Sequence, residues 1–590
     1  MNSLPPDKLR YNRFLLLVAG LGGLLYGVDV GIIASALPYL EATSGLNAQQ
    51  LSFIVAAVLL GSVISTLFAG VLADWMGRKK LMAISGVLFV ASIPIIALAH
   101  GYGALVSGRL LQGISAGFIG VVVPLYLAEC LSASSRGKGT GIFQWLLTLG
   151  IVAAALIGIY FSVRVEEVAR LGDTTQLLAF KDAAWRRIFW VSLPPGLLFV
   201  VGSVLVSESP RWLYRRGRLD DAKVALLRSR SEEQAEVELK EMAANAAAES
   251  ERKNTGAAGR ESLFHRKYVI PFVLACVILA CNQATGVNSI IGYNTTILLQ
   301  SGLSDVAAHW GYLILTSVNF LVTMAGVALV DRKGRKFLLS IGSAGIVASL
   351  LCVGGLFYQT EKQRVDVRDA LQAAVGQDQT LTLRFDEPTL ARLLPEKPAQ
   401  SGPSTLVVIY SYGDFRAATT VARSDDRTAK PIEITRGSCV PANKVVAFFS
   451  NPFANLDGAR TAPLKIENAL VTPVPTARHG WLTAVCVFAF MAFFAIGPGV
   501  CVWLALSELM PTRIRSNGMS IALLINQAVS TGIAAVFLPT VGKYGYATMF
   551  FVFAGCTVVY FVTAAFFLPE TKGRTLEEIE AHFNRAPKRS

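Results

Sequence analysis

Charge is what this sequence has least of. Asp, Glu, Lys and Arg make up 16% of its 590 residues, against 53% hydrophobic, with a mean hydropathy of +0.50. An ordinary soluble enzyme carries about 25% charged residues, so that class is excluded. Histidine is scarcer still. The five residues at 100, 265, 309, 479 and 582 are scattered, and no nucleophile sits beside a base, so neither a catalytic constellation nor a cofactor or metal site is expected. Cysteine gives no disulfide framework: seven of eight (130, 276, 281, 352, 486, 501, 556) lie in apolar runs as small hydrophobes, and Cys439 has no evident partner. The net charge of +14 does not indicate nucleic acid, because Lys and Arg cluster in short segments between apolar runs. That is the positive-inside pattern of a protein whose partner is the lipid bilayer.

What the chain does have is long apolar runs, enough for a multi-span membrane protein. The first, about Phe14 to Leu40, lacks a cleavage site and reads as a retained anchor, with Lys8, Arg10 and Arg13 holding its start in the cytoplasm. Gly20 to Gly23 there suit close helix packing, since no strand precedes them to make a dinucleotide loop. Asp29 falls roughly 22 Å along this span, and Arg109 about 7 Å from the outer end of the fourth. In a core about 30 Å thick those depths coincide, so a carboxylate and a guanidinium are expected to face each other there. Such a pair serves as a static brace or as a proton carrier, and a titratable group inside a membrane favours the second.

Three motif pairs recur in the same order. Asp74-Trp75-Met76-Gly77-Arg78 after the second span matches Asp331-Arg332-Lys333-Gly334-Arg335 after the eighth. Glu129 and Arg136 after the fourth match Glu508 and Arg515 after the tenth, and Glu208-Ser209-Pro210-Arg211 matches Pro569-Glu570-Thr571-Lys572. The chain is therefore expected to duplicate a six-span unit, with these charges forming a cytoplasmic salt-bridge network that latches the halves together in the outward-facing state. The expected organisation is a six-helix bundle over 1–206, a cytoplasmic helical linker over 207–265 and helices seven to nine over 266–359. An extracytoplasmic insertion over 360–479, helices ten to twelve over 480–569 and a cytoplasmic tail over 570–590 complete it. The stretch from about Arg164 to Arg187 reads as an outer loop. Within the insertion, Leu381–Phe385, Leu406–Tyr410, Ile432–Ile434, Val445–Phe449 and Leu464–Ile466 read as strands of a small β-sandwich, a passive appendage.

The most chemically loaded stretch is Asn282-Gln283-Ala284-Thr285-Gly286-Val287-Asn288 through Tyr293 and Asn294, where amides interrupt an otherwise lipid-soluble run. Unpaired in hydrocarbon they are costly, so they bind neighbouring helices or face a water-filled cavity suited to a neutral polyol. This stretch, together with the three motif pairs, resembles the sugar porter family of the major facilitator superfamily over essentially the whole chain except about 360–479. The resemblance implies an all-α membrane protein of twelve transmembrane helices in two six-helix pseudo-repeats, with a small β-rich extracytoplasmic domain added. It implies sugar ligands at Gln144, Asn282, Gln283, Asn288, Asn319, Trp503, Asn526 and Gln527, proton coupling at Asp29 and Arg109, and gating at Tyr26 and Tyr293. Asn282 stands where the family has Gln, and Gln527 where it usually has Trp. The implied function is import of a monosaccharide, hexose or pentose, by proton symport with alternating access, by a monomer in the inner or plasma membrane. Uncoupled uniport, cyclitol transport and sugar sensing are the alternatives; a sensor needs a long cytoplasmic signalling tail, and the tail here is about 20 residues.

Overall fold

The computed structural model describes residues 5–131, 133–254, 265–394, 402–426, 430–444, 446–447, 451–510, 514–572 and 583; the side chains of 133–140, 245–254, 267, 331, 503–508 and 515–517 lie outside that description. Twelve helices are long and apolar enough to cross a membrane. Spans 1 to 6 are Pro6–Ser44, Ala48–Met76, Arg78–Ala97, Tyr102–Cys130, Gly141–Arg170 and Thr174–Leu205. Spans 7 to 12 are Tyr268–Gly292, Asp305–Val330, Arg335–Glu361, Ala477–Val502, Gly518–Tyr544 and Tyr546–Phe567. Their faces away from the bundle carry exposed apolar side chains such as Leu67, Phe68, Val71, Leu198 and Val552, as a lipid solvent requires. Arg164 to Arg187 is helical apart from a short break at 171–173, so the expected loop is two extended helix ends.

Two spans are broken where the sequence leaves little choice. Span 7 stops at Ala284 and restarts at Val287, with Gly286 between them at φ +80°. A Cβ there would come within 2.4 Å of the Phe553 ring. Gly286→Ala therefore combines a left-handed strain of roughly 1–2 kcal/mol with a clash, and is expected to lower the thermal unfolding midpoint in detergent. An unchanged midpoint would show that this break is not needed. Span 10 breaks between Ile496 and Pro498, where Gly497 lets the helix approach the Leu338 carbonyl.

The linker folds as Pro210–Arg215, Leu219–Leu227 and Glu232–Asn254, and the N-terminus joins it through Lys8 Nζ, which donates to the Arg230 carbonyl at 2.6 Å. The last part of that linker, 255–264, lies outside the described residues.

At the opposite ends of the spans sits the insertion. It is not a sandwich. β1 (Val365–Asp366), β3 (Ser404–Tyr412), β4 (Phe415–Ala418), β5 (Ala422–Arg423) and β7 (Leu464–Pro473) form one antiparallel sheet, while β2 (Leu381–Leu383) and β6 (Ile432–Ile434) form a separate pair. β3 and β7 pair from Ser404↔Pro473 to Tyr412↔Leu464, with a bulge at Ile409/Tyr410. Short helices such as Arg368–Ala373, with the β2–β6 pair, share one core with the five-stranded sheet, so the layer opposite it is a mixture of helix and a two-stranded ribbon rather than a full second sheet. Of the Val445–Phe449 run, residues 446 and 447 are helical and the rest lie outside the described residues.

Nor does the insertion stand apart. Asn47 Nδ2 donates to the Ser438 carbonyl at 2.7 Å, the Ala418 amide to Gln49 Oε1 at 3.1 Å, and Lys430 Nζ to the Thr43 carbonyl at 2.7 Å. Arg423 Nη1 reaches the Leu299 carbonyl in the second half at 3.4 Å. The domain thus rests on both halves.

Candidate functional site between the two halves

The amides of span 7 close into a network with span 11. Asn288 Nδ2 donates to Gln283 Oε1 at 2.9 Å and to Ser530 Oγ at 2.7 Å; Gln283 Nε2 donates to Asn526 Oδ1 at 3.2 Å, and Asn526 Nδ2 to the Leu279 carbonyl at 3.0 Å. The break at Gly286 brings Gln283 and Asn288 into direct contact although they flank it. Each amide is held by another, so the cluster is preorganised, with acceptor and donor capacity left for a hydroxylated ligand. Asn282, 3% exposed, has an unpartnered Oδ1; Asn294 and Thr295, both fully buried, have unpartnered polar groups among the described residues. Ser530 is thus a site member that residue type alone did not single out.

The remaining expected ligands fall differently. Gln144 on span 5 is exposed, and Asn319 on span 8 and Gln527 on span 11 are half-buried. None of these three side chains hydrogen-bonds to the amide cluster in the described structure. Gln144 and Asn319 nevertheless flank a contact between the halves, where the rings of Trp145 and Phe320 stack at 5.6 Å. The side chain of Trp503 lies outside the described residues.

Asp29 and Arg109 do meet, at 1% and 2% exposure, with Arg109 Nη1 3.4 Å from Asp29 Oδ1. The same Nη1 donates to Gln112 Oε1 at 2.7 Å, one turn along span 4, and the guanidinium lies 5.7 Å from the Phe189 ring centre. Asp29 Oδ2 has no partner. The arginine is therefore held by two groups and the carboxylate by one long contact, so neutralising Asp29 leaves Arg109 with a partner. Tyr26, one turn from Asp29, is half-buried and lies where a Cβ on Gly120 would touch its ring; Tyr293 is fully buried, donates to the Ala534 carbonyl at 3.1 Å and stacks on Phe537 at 4.6 Å.

The charged motifs fold as repeats. After span 2, Glu208 accepts from the backbone N–H of Arg78 (2.9 Å) and Lys79 (3.1 Å); after span 8, Glu570 accepts from those of Arg335 (3.1 Å) and Lys336 (3.2 Å). Each carboxylate caps a helix N-terminus behind a left-handed glycine, Gly77 at φ +97° and Gly334 at φ +91°. Arg78, 1% exposed, pairs with Glu129 at 2.8 Å and Asp74 at 2.9 Å, and Ser209 Oγ donates to Glu129. All of these bonds run within one half or to its linker. The latch expected between the halves rests largely on side chains outside the description, those of Arg136, Asp331, Glu508 and Arg515; among the described residues Arg211 makes no ion pair. Cross-half hydrogen bonds gather instead at the insertion side: Tyr39 to Asp305 (2.8 Å), Tyr312 to the Gly31 carbonyl (2.9 Å) and the Leu538 amide to Ser52 (3.1 Å). These bonds join the halves on the insertion side, so the protein is in a state closed towards the insertion.

A family profile described as sugar (and other) transporter matches residues 15–374 and 469–583. The chain belongs to that family. It is a multi-pass membrane transporter and not an enzyme. It is 25% identical to the glucose transporter GlcP of Staphylococcus epidermidis over 97% of each chain, and 27% identical to the human proton myo-inositol cotransporter over 96% of this chain and 81% of that one. Among solved structures, the inward-open xylose transporter XylE of E. coli superposes with a TM-score of 0.62 at 20% identity, over 96% of this chain and 98% of XylE. The likeness fixes the major facilitator fold, and the gap between the two matched segments contains most of the insertion.

Proposed function

We propose that this transporter imports a neutral monosaccharide, hexose or pentose, together with a proton, by alternating access. The observation that carries this reading is a pair of polar devices within the membrane spans: the amide cluster of Gln283, Asn288, Asn526 and Ser530, and the buried Asp29–Arg109 pair. Amides that donate and accept in alternation match vicinal hydroxyls, and a carboxylate with one weak partner inside a membrane is a proton site. Relatives named as a proton myo-inositol cotransporter and a D-xylose-proton symporter support the coupling, and the first keeps a cyclitol among the substrates to be tested. The linker side and both termini are assigned to the cytoplasm, the insertion to the outside. The state described is then closed to the outside, and the charged motifs around Arg78 and Arg335 would bridge the halves when the outside opens. Asn282, Gln144, Asn319, Trp503 and Gln527 complete the sugar contacts as the halves close.

Uptake into membrane vesicles of labelled D-glucose, D-xylose and myo-inositol, with and without an imposed pH gradient, tests the proposal. At least one is expected to accumulate only when the outside is acidic. Entry of all three at rates indifferent to the gradient would assign uncoupled uniport.

A further inference from the structure

A cleft with about 840 Å³ of open space, its solvent mouth included, lies where the inserted domain meets the ends of the spans. It straddles the seam of the molecule. Glu41 and Ala48 come from the first half, Thr296, Gln300, Phe357 and Tyr546 from the second, and Thr405 and Thr472 from the sheet. Resting on the idea that the cargo is a polyol, we propose that this cleft is a second binding site, which takes the same class of neutral polyhydroxylated ring before it reaches the central amides.

Unmet hydrogen-bonding groups make the argument. Thr296 and Tyr546 are 5% and 6% exposed, and neither hydroxyl has a partner; the Arg364 Nε also lacks one. All three residues line the cleft. Buried polar groups are rarely left unpaired, so a cavity that collects several is matched to a ligand or water rich in hydroxyls. A ring hydroxyl can accept from Arg364 or Tyr546 and in turn donate to the Glu41 carboxylate, which makes no ion pair among the described residues. The second carboxylate, Glu361, is already engaged, paired with Arg364 at 2.8 Å and capping Tyr546 at 2.7 Å. Two acids against one base disfavour an anion, and the orphan hydroxyls of Thr296 and Tyr546 match a hydroxylated ligand. Phe357 and Tyr546, stacked at 4.9 Å, offer an apolar wall to the C–H face of such a ring. The contacts that seat the domain on Thr43, Asn47 and Gln49 keep the cleft roofed in the state closed towards the insertion.

The test uses full-length protein in lipid nanodiscs, with D-glucose, D-xylose and myo-inositol as probes in equilibrium dialysis. Gln283→Ala/Asn288→Ala disables the central cluster. Thr296→Val/Tyr546→Phe removes only the two orphan hydroxyls. The central variant is expected to keep saturable binding of a probe that wild type binds, and adding the cleft pair is expected to weaken that residual binding by roughly tenfold or more. Loss of all saturable binding in the central variant, with wild type still binding, overturns the cleft site alone. So does residual binding that the cleft pair leaves unmoved. Wild type that binds none of the probes overturns the polyol reading and the cleft with it.

Discussion

Asp29→Asn is expected to abolish concentrative uptake while leaving exchange of sugar down its gradient. With one proton per sugar, each pH unit is worth about 1.4 kcal/mol and supports about a tenfold concentration ratio. In the variant that ratio should fall to about one at any imposed gradient. Exchange survives because the bonds of the amide cluster run between spans 7 and 11, and none of them involves span 1. The structure adds a reason why the variant should fold. Arg109 keeps Gln112 at 2.7 Å after the carboxylate is gone, so its charge is not left wholly unpaired. Slower exchange is expected, because the pair no longer helps hold the first half in register. Counterflow of labelled substrate in proteoliposomes, measured beside pH-driven accumulation, separates the two effects.

The second large effect concerns the amides. Gln283→Ala removes the acceptor of Asn288 and the donor to Asn526; Asn288→Ala removes the donor to Gln283 and Ser530. Each loses at least one substrate bond of about 1 kcal/mol and also loosens its neighbours, so apparent affinity should fall about tenfold in each variant. The double variant should lose saturable uptake. Because the residues act as one network, its loss should differ from the product of the single effects. Uptake against substrate concentration, at matched expression and with unchanged unfolding midpoints, checks this. Wild-type kinetics in both single variants would remove the cluster from the binding site.

The spans, the duplication and the facing of Asp29 and Arg109 were legible because hydropathy and residue depth are one-dimensional quantities that a helix converts directly into position. Ser530 and Gln112 were not, since one more hydroxyl or amide in a membrane helix carries no mark until a partner is placed opposite it. The caps at Glu208 and Glu570 explain physically why the two motifs repeat: each spacing sets a carboxylate on a helix N-terminus behind a glycine. For the expected cross-half latch, charge spacing says which groups cluster and not which conformational state is populated, and the side chains of Arg136, Asp331, Glu508 and Arg515 lie outside the described residues. In the insertion, alternation located most strands, but their order, and the helices standing where a second sheet was expected, depend on long-range pairing such as β3 with β7. Its seating on both halves had no signature at all.

The central claim is that sugar and proton cross together. Purified protein in liposomes loaded with a pH-sensitive dye, without any imposed pH gradient, tests it most directly when a transported sugar is added outside. The account predicts acidification of the lumen that follows sugar entry, saturates with it, and is absent in Asp29→Asn. Sugar entering wild-type liposomes with no change in lumenal pH would contradict it.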